Sequence, residues 1–340
     1  MNRTRQIRLN NGFAIGGGAD VSVQTMTNVD PHDVAALVAQ VTSCAERGAD
    51  LIRLTVPDLE AAKAFGEVRR RSPVPLVADI HFDYLCALAA IENGADALRI
   101  NPGNIGSRER VQAVARSAKA KGVAIRIGVN SGSLEKGETP VSSALKHVKL
   151  LEDEDFHDIV ISAKASNVKD TITIYRELAE RTDYPLHLGV TEAGTLIPGA
   201  VRSSVAMGVL LSEGIGDTIR VSLTAKPEKE VKVALEILRS LGLRGPGPSV
   251  TSCPTCGRTK VDLQRIAVQV EDALETLRLK HYPRVAVMGC AVNGPGEAKD
   301  ADIALCGGER EFLLYIKGKM VSKVAEAEAV GKVVEYALSL

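Results

Sequence analysis

The sequence predicts an α/β protein, an eight-stranded parallel (β/α)8 barrel followed by a smaller α/β module. Three observations predict it. Eight short β-branched runs alternate with amphipathic stretches between residues 20 and 241. A Gly/Pro-rich break follows at Leu243–Ser249, and four of the six cysteines lie beyond it. The length of 340 residues fits about two domains at roughly 150 residues each. The boundary is read at residues 243/244, giving domains 1–243 and 244–340.

The strand runs are Val21–Val23, Leu51–Leu54, Leu76–Ala78, Ala97–Ile100, Ala124–Val129, Ile159–Ile161, Leu186–Val190 and Thr218–Val221. The intervening stretches repeat apolar residues at three- and four-residue steps, as in Val34, Leu37, Val38 and Val41. Further helical patterns cover 107–121, 167–181 and 198–212, the last with Pro198 near its first turn. Strand followed by helix, eight times over, is the count that closes a TIM barrel. A doubly wound open sheet is the alternative. No strand is followed by a dinucleotide glycine fingerprint, and Gly16-Gly17-Gly18 precedes the first run with the wrong spacing.

Composition narrows the partners. Lys+Arg and Asp+Glu number 42 each, so no basic footprint for nucleic acid or an anionic membrane is present. There is no Trp and only 3 % of residues are aromatic, which leaves little surface for stacking bases. No apolar run approaches the roughly 18 residues of a membrane span. The N-terminal residues lack the apolar core of a secretory signal. The expectation is a reducing cytoplasm, where cysteines serve as ligands or inert core thiols.

The strand ends carry polar residues: Gln24–Asn28, Arg53, Asp79 and His81, Arg99 and Asn101, Arg126 and Asn130, Lys164, Thr191-Glu192, and Arg220 to Ser222. In such a barrel the C-terminal strand ends form the mouth where active sites lie. Four arginines and a lysine converging there would repel one another without an anion, and a diphosphate matches the guanidinium fork. The alternative is that Arg99 and Arg126 point inward and pair with Asp79 or Glu192.

In the second module, Cys253-Pro254-Thr255-Cys256 is followed by a helical pattern (Val261, Ile266, Val270, Leu274, Leu277). A strand at 284–288 runs into Gly289-Cys290 and the turn-rich Asn293–Glu297. A hairpin (312–316 and 320–324, turned at 317–319) and a final helix close the chain. Three thiolates need a fourth ligand for a closed metal site. Cys306 and Glu297 are the two candidates, since no His lies within eight residues of Cys290. An iron–sulfur cluster with an exchangeable carboxylate and a structural zinc both fit this spacing, with a redox dithiol third. Cys44 and Cys86, in helical patterns, read as buried and inert.

The motifs together resemble a known family. Cys-Pro-Thr-Cys-Gly-Arg (253–258), Met-Gly-Cys-Ala-Val-Asn-Gly-Pro-Gly-Glu (288–297) and Ala-Asp-Ile-His-Phe (78–82) carry the resemblance. So do Leu-Arg-Ile-Asn-Pro-Gly-Asn (98–104), Arg-Ile-Gly-Val-Asn-Ser-Gly-Ser-Leu (126–134), Ser-Ala-Lys-Ala-Ser (162–166) and Leu-Gly-Val-Thr-Glu-Ala-Gly (188–194). They look like the signatures of the hydroxymethylbutenyl diphosphate synthases, in order along nearly the whole chain and in the short bacterial form.

The resemblance implies a [4Fe-4S] cluster on Cys253, Cys256, Cys290 and Glu297. It implies a pocket for a cyclic diphosphate of methylerythritol lined by Arg53, Arg99, Asn101, Arg126, Asn130, Lys164, Arg220 and Ser222. The implied reaction is a reductive dehydroxylation with ring opening, fed single electrons by flavodoxin or ferredoxin, in a head-to-tail homodimer. Glu192 is read as a proton donor, and Asp79 and His81 as orienting groups. Thr25 and Thr255 stand where the family usually has Ser, and Lys226 where an acid is common.

Overall fold

The computed structural model describes residues 4–130, 134, 137–245, 247–277, 279, 281–291 and 294–340, without the side chains of Asn130, Pro295 and Glu297. The chain forms two compact units, residues 1–244 and 245–340.

The first unit opens with a small antiparallel pair, β1 (Ile7–Arg8) and β2 (Ala14–Ile15). Strand and helix then alternate. Their order is β3 (Ser22–Met26), α1 (Val34–Glu46), β4 (Leu51–Thr55), α2 (Leu59–Arg71), β5 (Leu76–Asp79), α3 (Tyr84–Glu92) and β6 (Ala97–Ile100). Next come the short α4 (Pro102–Ile105), α5 (Arg108–Lys121), β7 (Ala124–Asn130), α6 (Pro140–Glu152), β8 (Ile159–Lys164) and α7 (Val168–Arg181). The unit ends with β9 (His187–Leu188), α8 (Leu196–Ser212), β10 (Thr218–Ile219) and α9 (Pro227–Ser240). The eight strands β3 to β10 pair in parallel in the order β8-β7-β6-β5-β4-β3-β10-β9. A parallel bridge from Ile161 to Leu186 joins β8 to β9 and closes the barrel.

Helix starts follow side-chain chemistry. Asp33, Asp58, Asp83 and Asn167 each accept a backbone N–H in the first turn of the helix that follows. The capping box at Thr139 and Ser142 starts α6, with Pro140 at its first position.

Strand alternation separates two interiors. Ile52, Leu54, Ala78, Leu98, Ile100, Ile125, Ile127, Ile159 and Ile161 face the helix ring in one large apolar core. Their neighbours Leu51, Val77, Ala97, Ala124 and Val160, near the N-terminal ends of their strands, face the barrel axis. There they pack against Ile7, Leu9 and Ile15, so β1 and β2 close the barrel floor. The sequence reading leaves this pair out, because its strands are only two residues long. Burying one Leu or Ile side chain contributes on the order of 1.5–3 kcal/mol, so this small plug is a real part of the core.

Three boundaries differ from expectation. The first barrel strand runs to Met26, so Gln24, Thr25 and Met26 lie within it rather than beyond it. The regular ladders of β9 and β10 span two residues each, although their flanks hold by Thr191 N–H to Ala165 O and Arg220 N–H to Leu188 O. Ser249, read as linker, begins a strand.

The second unit is a five-stranded sheet, β11 (Ser249–Ser252), β12 (Arg284–Met288), β13 (Ile303–Gly307), β14 (Glu311–Ile316) and β15 (Lys319–Ala325), in that spatial order. The first three are parallel and the last two antiparallel. Helix α10 (Leu263–Thr276) precedes β12, the one-turn α11 (Gly294–Glu297) precedes β13, and α12 (Ala329–Ser339) ends the chain. Val285, Val287, Ile303 and Leu305 face α10 and α12. Ala286, Met288, Ala304 and Cys306 face the other side against Ala298. Cys306 is thus a core thiol. Lys317 and Gly318, with φ of 47° and 76°, form a two-residue type I′ turn between β14 and β15.

Candidate functional site

The barrel axis above its apolar floor is filled with charge. Cα register pairs Arg53 with Val77, Asp79 with Arg99, Arg99 with Arg126 and Arg126 with Val160, which puts Arg53, Asp79, Arg99, Arg126 and, four residues after Val160, Lys164 on the inward face of their strands. Arg220, one residue past β10 and in phase with inward Thr218, completes five cations around one axis.

Asp79 is the inward carboxylate among them. Its oxygens lie 3.4 Å from Arg99 Nη1, 3.8 Å from Arg53 Nε and 3.6 Å from His81 Nε2. Burial pushes the Asp79 carboxyl up, but Arg53 and Arg99 outweigh it and hold the group below its ordinary range. It is therefore ionised. Of the expected arrangements for Arg99, the structure shows the inward one paired with Asp79. Glu192 makes no ion pair among the described residues.

Arg126 is the most enclosed cation. Its Nη1 donates to Gln24 Oε1 at 2.6 Å, while Nε and Nη2 are buried without a hydrogen-bond partner. Burial lowers the Arg126 guanidinium pKa, and Arg53 and Arg99 lower it further. Burial likewise pushes the Lys164 ammonium well down, followed by Arg220 and Arg126, and no carboxylate pairs with it among the described residues. Arg220 is pushed down to about 10 by burial and by Arg53. Its Nε lies 3.6 Å from Glu230 Oε2, an ion pair too long for a hydrogen bond. Arg53 rests its Nε and Nη2 on Met26 Sδ at 3.2 and 2.9 Å.

Two glycines make room for this set. At Gly128 a Cβ would lie 3.0 Å from Arg99 Cζ and closer still to Nε. At Gly189 it would lie 2.7 Å from Lys164 Nζ. A glycine inside a strand marks such a close approach.

The remaining expected residues divide. Asn101 caps α4, its Oδ1 accepting the Gly103 N–H at 3.2 Å. Ser222 is half-buried just past β10, and His81 is half-exposed beside Asp79. Glu192 is exposed on the loop after β9, with φ of 52°. Asn130 ends β7 in register with Lys164, and its side chain lies outside the described residues.

Two buried groups escape the sequence reading. His187 faces the axis, its Nδ1 2.6 Å from Thr218 Oγ1, and burial, with Arg126 and Lys164, pushes its pKa well down, so it is neutral. Glu230 reaches Arg220 from α9. The inward parity of position 187 against Gly189 could have revealed the first. No sequence signal marks the second, which depends on how α9 seats against β3.

In the second unit, Cys253 follows β11 and Cys290 follows Gly289 at the end of the neighbouring parallel strand β12. Gly289 N–H donates to Cys253 Sγ at 3.2 Å. Cys256 is exposed, and hydrogen bonds from Arg258 hold its thiol below the ordinary value. Between the two, Thr255 takes φ of 68°, which a β-branched residue rarely adopts. The Cys290 carbonyl accepts the Gly294 N–H at 3.1 Å and so starts α11, whose last residue is Glu297. The Glu297 side chain lies outside the described residues. Among the described residues no three His, Cys, Asp or Glu side chains form a group able to hold a metal ion. The donor set still suits an iron–sulfur cluster, because no cysteine is tied up in a disulfide and an amide already points at Cys253 Sγ, the bond that tunes cluster thiolates. Cys44 and Cys86 are buried in α1 and α3, and burial pushes the Cys44 thiol up to about 12.

Comparison with known proteins shows the fold and the family. The barrel is similar in fold to a sialic acid synthetase from Leptospira borgpetersenii (TM-score 0.55, 16 % identity, 72 % of this chain and 92 % of that one). It is also similar to a dihydropteroate synthase from Yersinia pestis (TM-score 0.54, 13 % identity, 70 % and 98 %). At such identity the likeness shows the fold alone. In sequence, the chain is similar to 4-hydroxy-3-methylbut-2-en-1-yl diphosphate synthases (flavodoxin). That of Ruminiclostridium cellulolyticum is 51 % identical over 98 % of this chain and 97 % of that one. That of Lawsonia intracellularis is 53 % identical over 95 % and 92 %. That of Bacillus subtilis is 51 % identical over 96 % and 89 %. Residues 4–235 match the family description "GcpE TIM-barrel domain", and residues 249–338 match "GcpE protein C-terminal domain". The chain belongs to the GcpE family.

Proposed function

We propose that the chain is an iron–sulfur oxidoreductase, a 4-hydroxy-3-methylbut-2-enyl diphosphate synthase of the non-mevalonate isoprenoid pathway. Its substrate is 2-C-methyl-D-erythritol 2,4-cyclodiphosphate. Relatives above 50 % identity bear that activity in their names and pair it with flavodoxin, so flavodoxin is the electron donor of first choice and ferredoxin the second. The observation that carries the reading is the barrel interior. Five cations face two carboxylates there, and Arg126 keeps two buried donors unpartnered. An anion of two phosphoryl groups supplies what is missing.

Arg53, Arg99, Arg126, Lys164 and Arg220 bind the phosphoryl oxygens, and Asn101, Asn130 and Ser222 donate hydrogen bonds. Asp79, ionised and held between Arg53 and Arg99, orients those guanidiniums and is no acid at neutral pH. His81 beside it hydrogen-bonds the ligand. Cys253, Cys256, Cys290 and Glu297 would hold a [4Fe-4S] cluster, which when bound supplies electrons one at a time and Lewis acidity. The overall change takes up two electrons and one proton, breaks the ring C–O bond and releases one hydroxyl as water. Glu192, exposed on a loop with no ion pair among the described residues, hands that proton to the departing hydroxyl.

A homodimer belongs to the same proposal. Leu196, Ile197, Val201 and Val205 give α8 an exposed apolar surface, which supports self-association. A reducing cytoplasm as the working compartment belongs to the same proposal, in keeping with thiolate ligands for a cluster, and no helix among the described residues is long and apolar enough to cross a membrane. Anaerobic purification tests the whole reading. Brown protein with equal iron and acid-labile sulfide, turning over the cyclic diphosphate with a one-electron donor, is expected. Colourless protein carrying zinc overturns it.

A further inference from the structure

Helix α9 lies outside the barrel wall, yet one of its acids is buried. Glu230 is 5 % exposed. Its Oε1 accepts the Leu223 N–H at 2.9 Å, and its Oε2 accepts the Thr25 hydroxyl at 2.9 Å. The same Oε2 stands 3.6 Å from Arg220 Nε. One carboxylate therefore ties three pieces together: the outward face of β3, the turn that follows Ser222, and the guanidinium of Arg220.

We infer that Glu230 is a positioning residue, holding Arg220 and the Ser222–Leu223 turn in the geometry that receives a phosphoryl oxygen. The inference rests on the diphosphate reading of the barrel interior. Arg220 is surrounded by like charge, since Arg53 and Lys164 act on it or are acted on by it. Left alone, its long side chain would swing away from the other cations. A buried carboxylate behind it supplies the opposing pull, and the bonds from Leu223 and Thr25 fix where that carboxylate sits. Two bonds anchor Glu230, so the pull has a fixed direction.

A bystander acid and a positioning acid differ in sign. Removing a negative charge near a cationic pocket strengthens anion binding if charge alone matters. Removing a positioning acid weakens it, although the pocket becomes more positive.

The test is pyrophosphate binding by calorimetry to the anaerobically purified, full-length protein, for wild type, Glu230→Ala, Glu230→Gln, Arg220→Ala and the double variant Arg220→Ala/Glu230→Ala. Glu230→Ala is expected to weaken binding about tenfold, a difference of about 1.4 kcal/mol. Glu230→Gln is expected to weaken it less, because its amide still accepts from Leu223 and donates to Thr25. In the Arg220→Ala background the second change is expected to add less than about twofold, since Glu230 acts through Arg220. Unchanged or tighter binding by Glu230→Ala overturns the inference, as do losses that multiply in the double variant. Where Glu230→Ala fails to fold, Glu230→Gln decides by the same sign. Failure of the diphosphate reading looks different: wild type takes no pyrophosphate, or Arg220→Ala binds it as well as wild type.

Discussion

Arg99 and Arg126 sit side by side on neighbouring parallel strands, in register and facing the same interior. Like charges so placed repel. Asp79 takes up Arg99 at 3.4 Å, whereas Arg126 has only the neutral oxygen of Gln24. The unliganded barrel thus holds a repulsion that a bound anion would relieve.

Binding an anion should stabilise the barrel visibly. Pyrophosphate at about 100 times its dissociation constant adds roughly 2.7 kcal/mol to the folded state. At about 2–4 °C per kcal/mol for a domain of this size, the melting temperature should rise by roughly 5–10 °C. Differential scanning fluorimetry of the purified protein checks it. A flat response up to millimolar pyrophosphate would contradict the cationic site.

Replacing the charge should separate stability from function. Arg126→Met removes an uncompensated buried cation while keeping volume, so the unliganded protein should gain about 1–2 kcal/mol. Turnover should fall at least about a hundredfold, because an interaction with the phosphoryl groups is lost. Urea midpoints and steady-state rates are the measurements, and a destabilised variant with normal turnover would refute the assignment.

Lys164 makes binding proton-linked. Burial and its cationic neighbours lower its pKa from the unfolded value near 10.5, so the unfolded chain holds more protons between the two values. Stability of the free protein should therefore rise with pH across that window, the opposite of a salt-bridged lysine. An anion beside Lys164 raises the pKa again, so binding should take up a proton there. Calorimetry in buffers of different ionisation enthalpy reads the uptake, and Lys164→Met should abolish it.

Gly128→Ala tests the close approach of Arg99. The added methyl would displace the guanidinium from the β7 wall. Substrate KM should rise about tenfold while the melting temperature moves by less than about 2 °C, because a flexible side chain rather than backbone gives way. An unchanged KM would remove Arg99 from the binding set.

Much of this was legible in the sequence because barrels obey a strict period of two. Arg53, Arg99, Arg126 and Lys164 each fall on the phase opposite to the Ile and Leu residues that face the helices, so their inward direction follows from counting. The cysteine pattern was legible for a similar reason, since Cys253 and Cys290 end adjacent strands. Glu230 was not legible. Its partners Thr25 and Leu223 are 205 and 7 residues away, and only the seating of α9 brings all three together. The two-residue strands of the floor were hidden too. Ile7, Leu9 and Ile15 gain their meaning from Leu51, Val77 and Val160, which lie far along the chain.

That floor makes the barrel a cup instead of a tube. With Ile7, Leu9 and Ile15 stoppering one end, the described residues leave a molecule held among the cations no exit through the floor. Substrate and product would then share one passage, so a product slow to leave would block the next substrate.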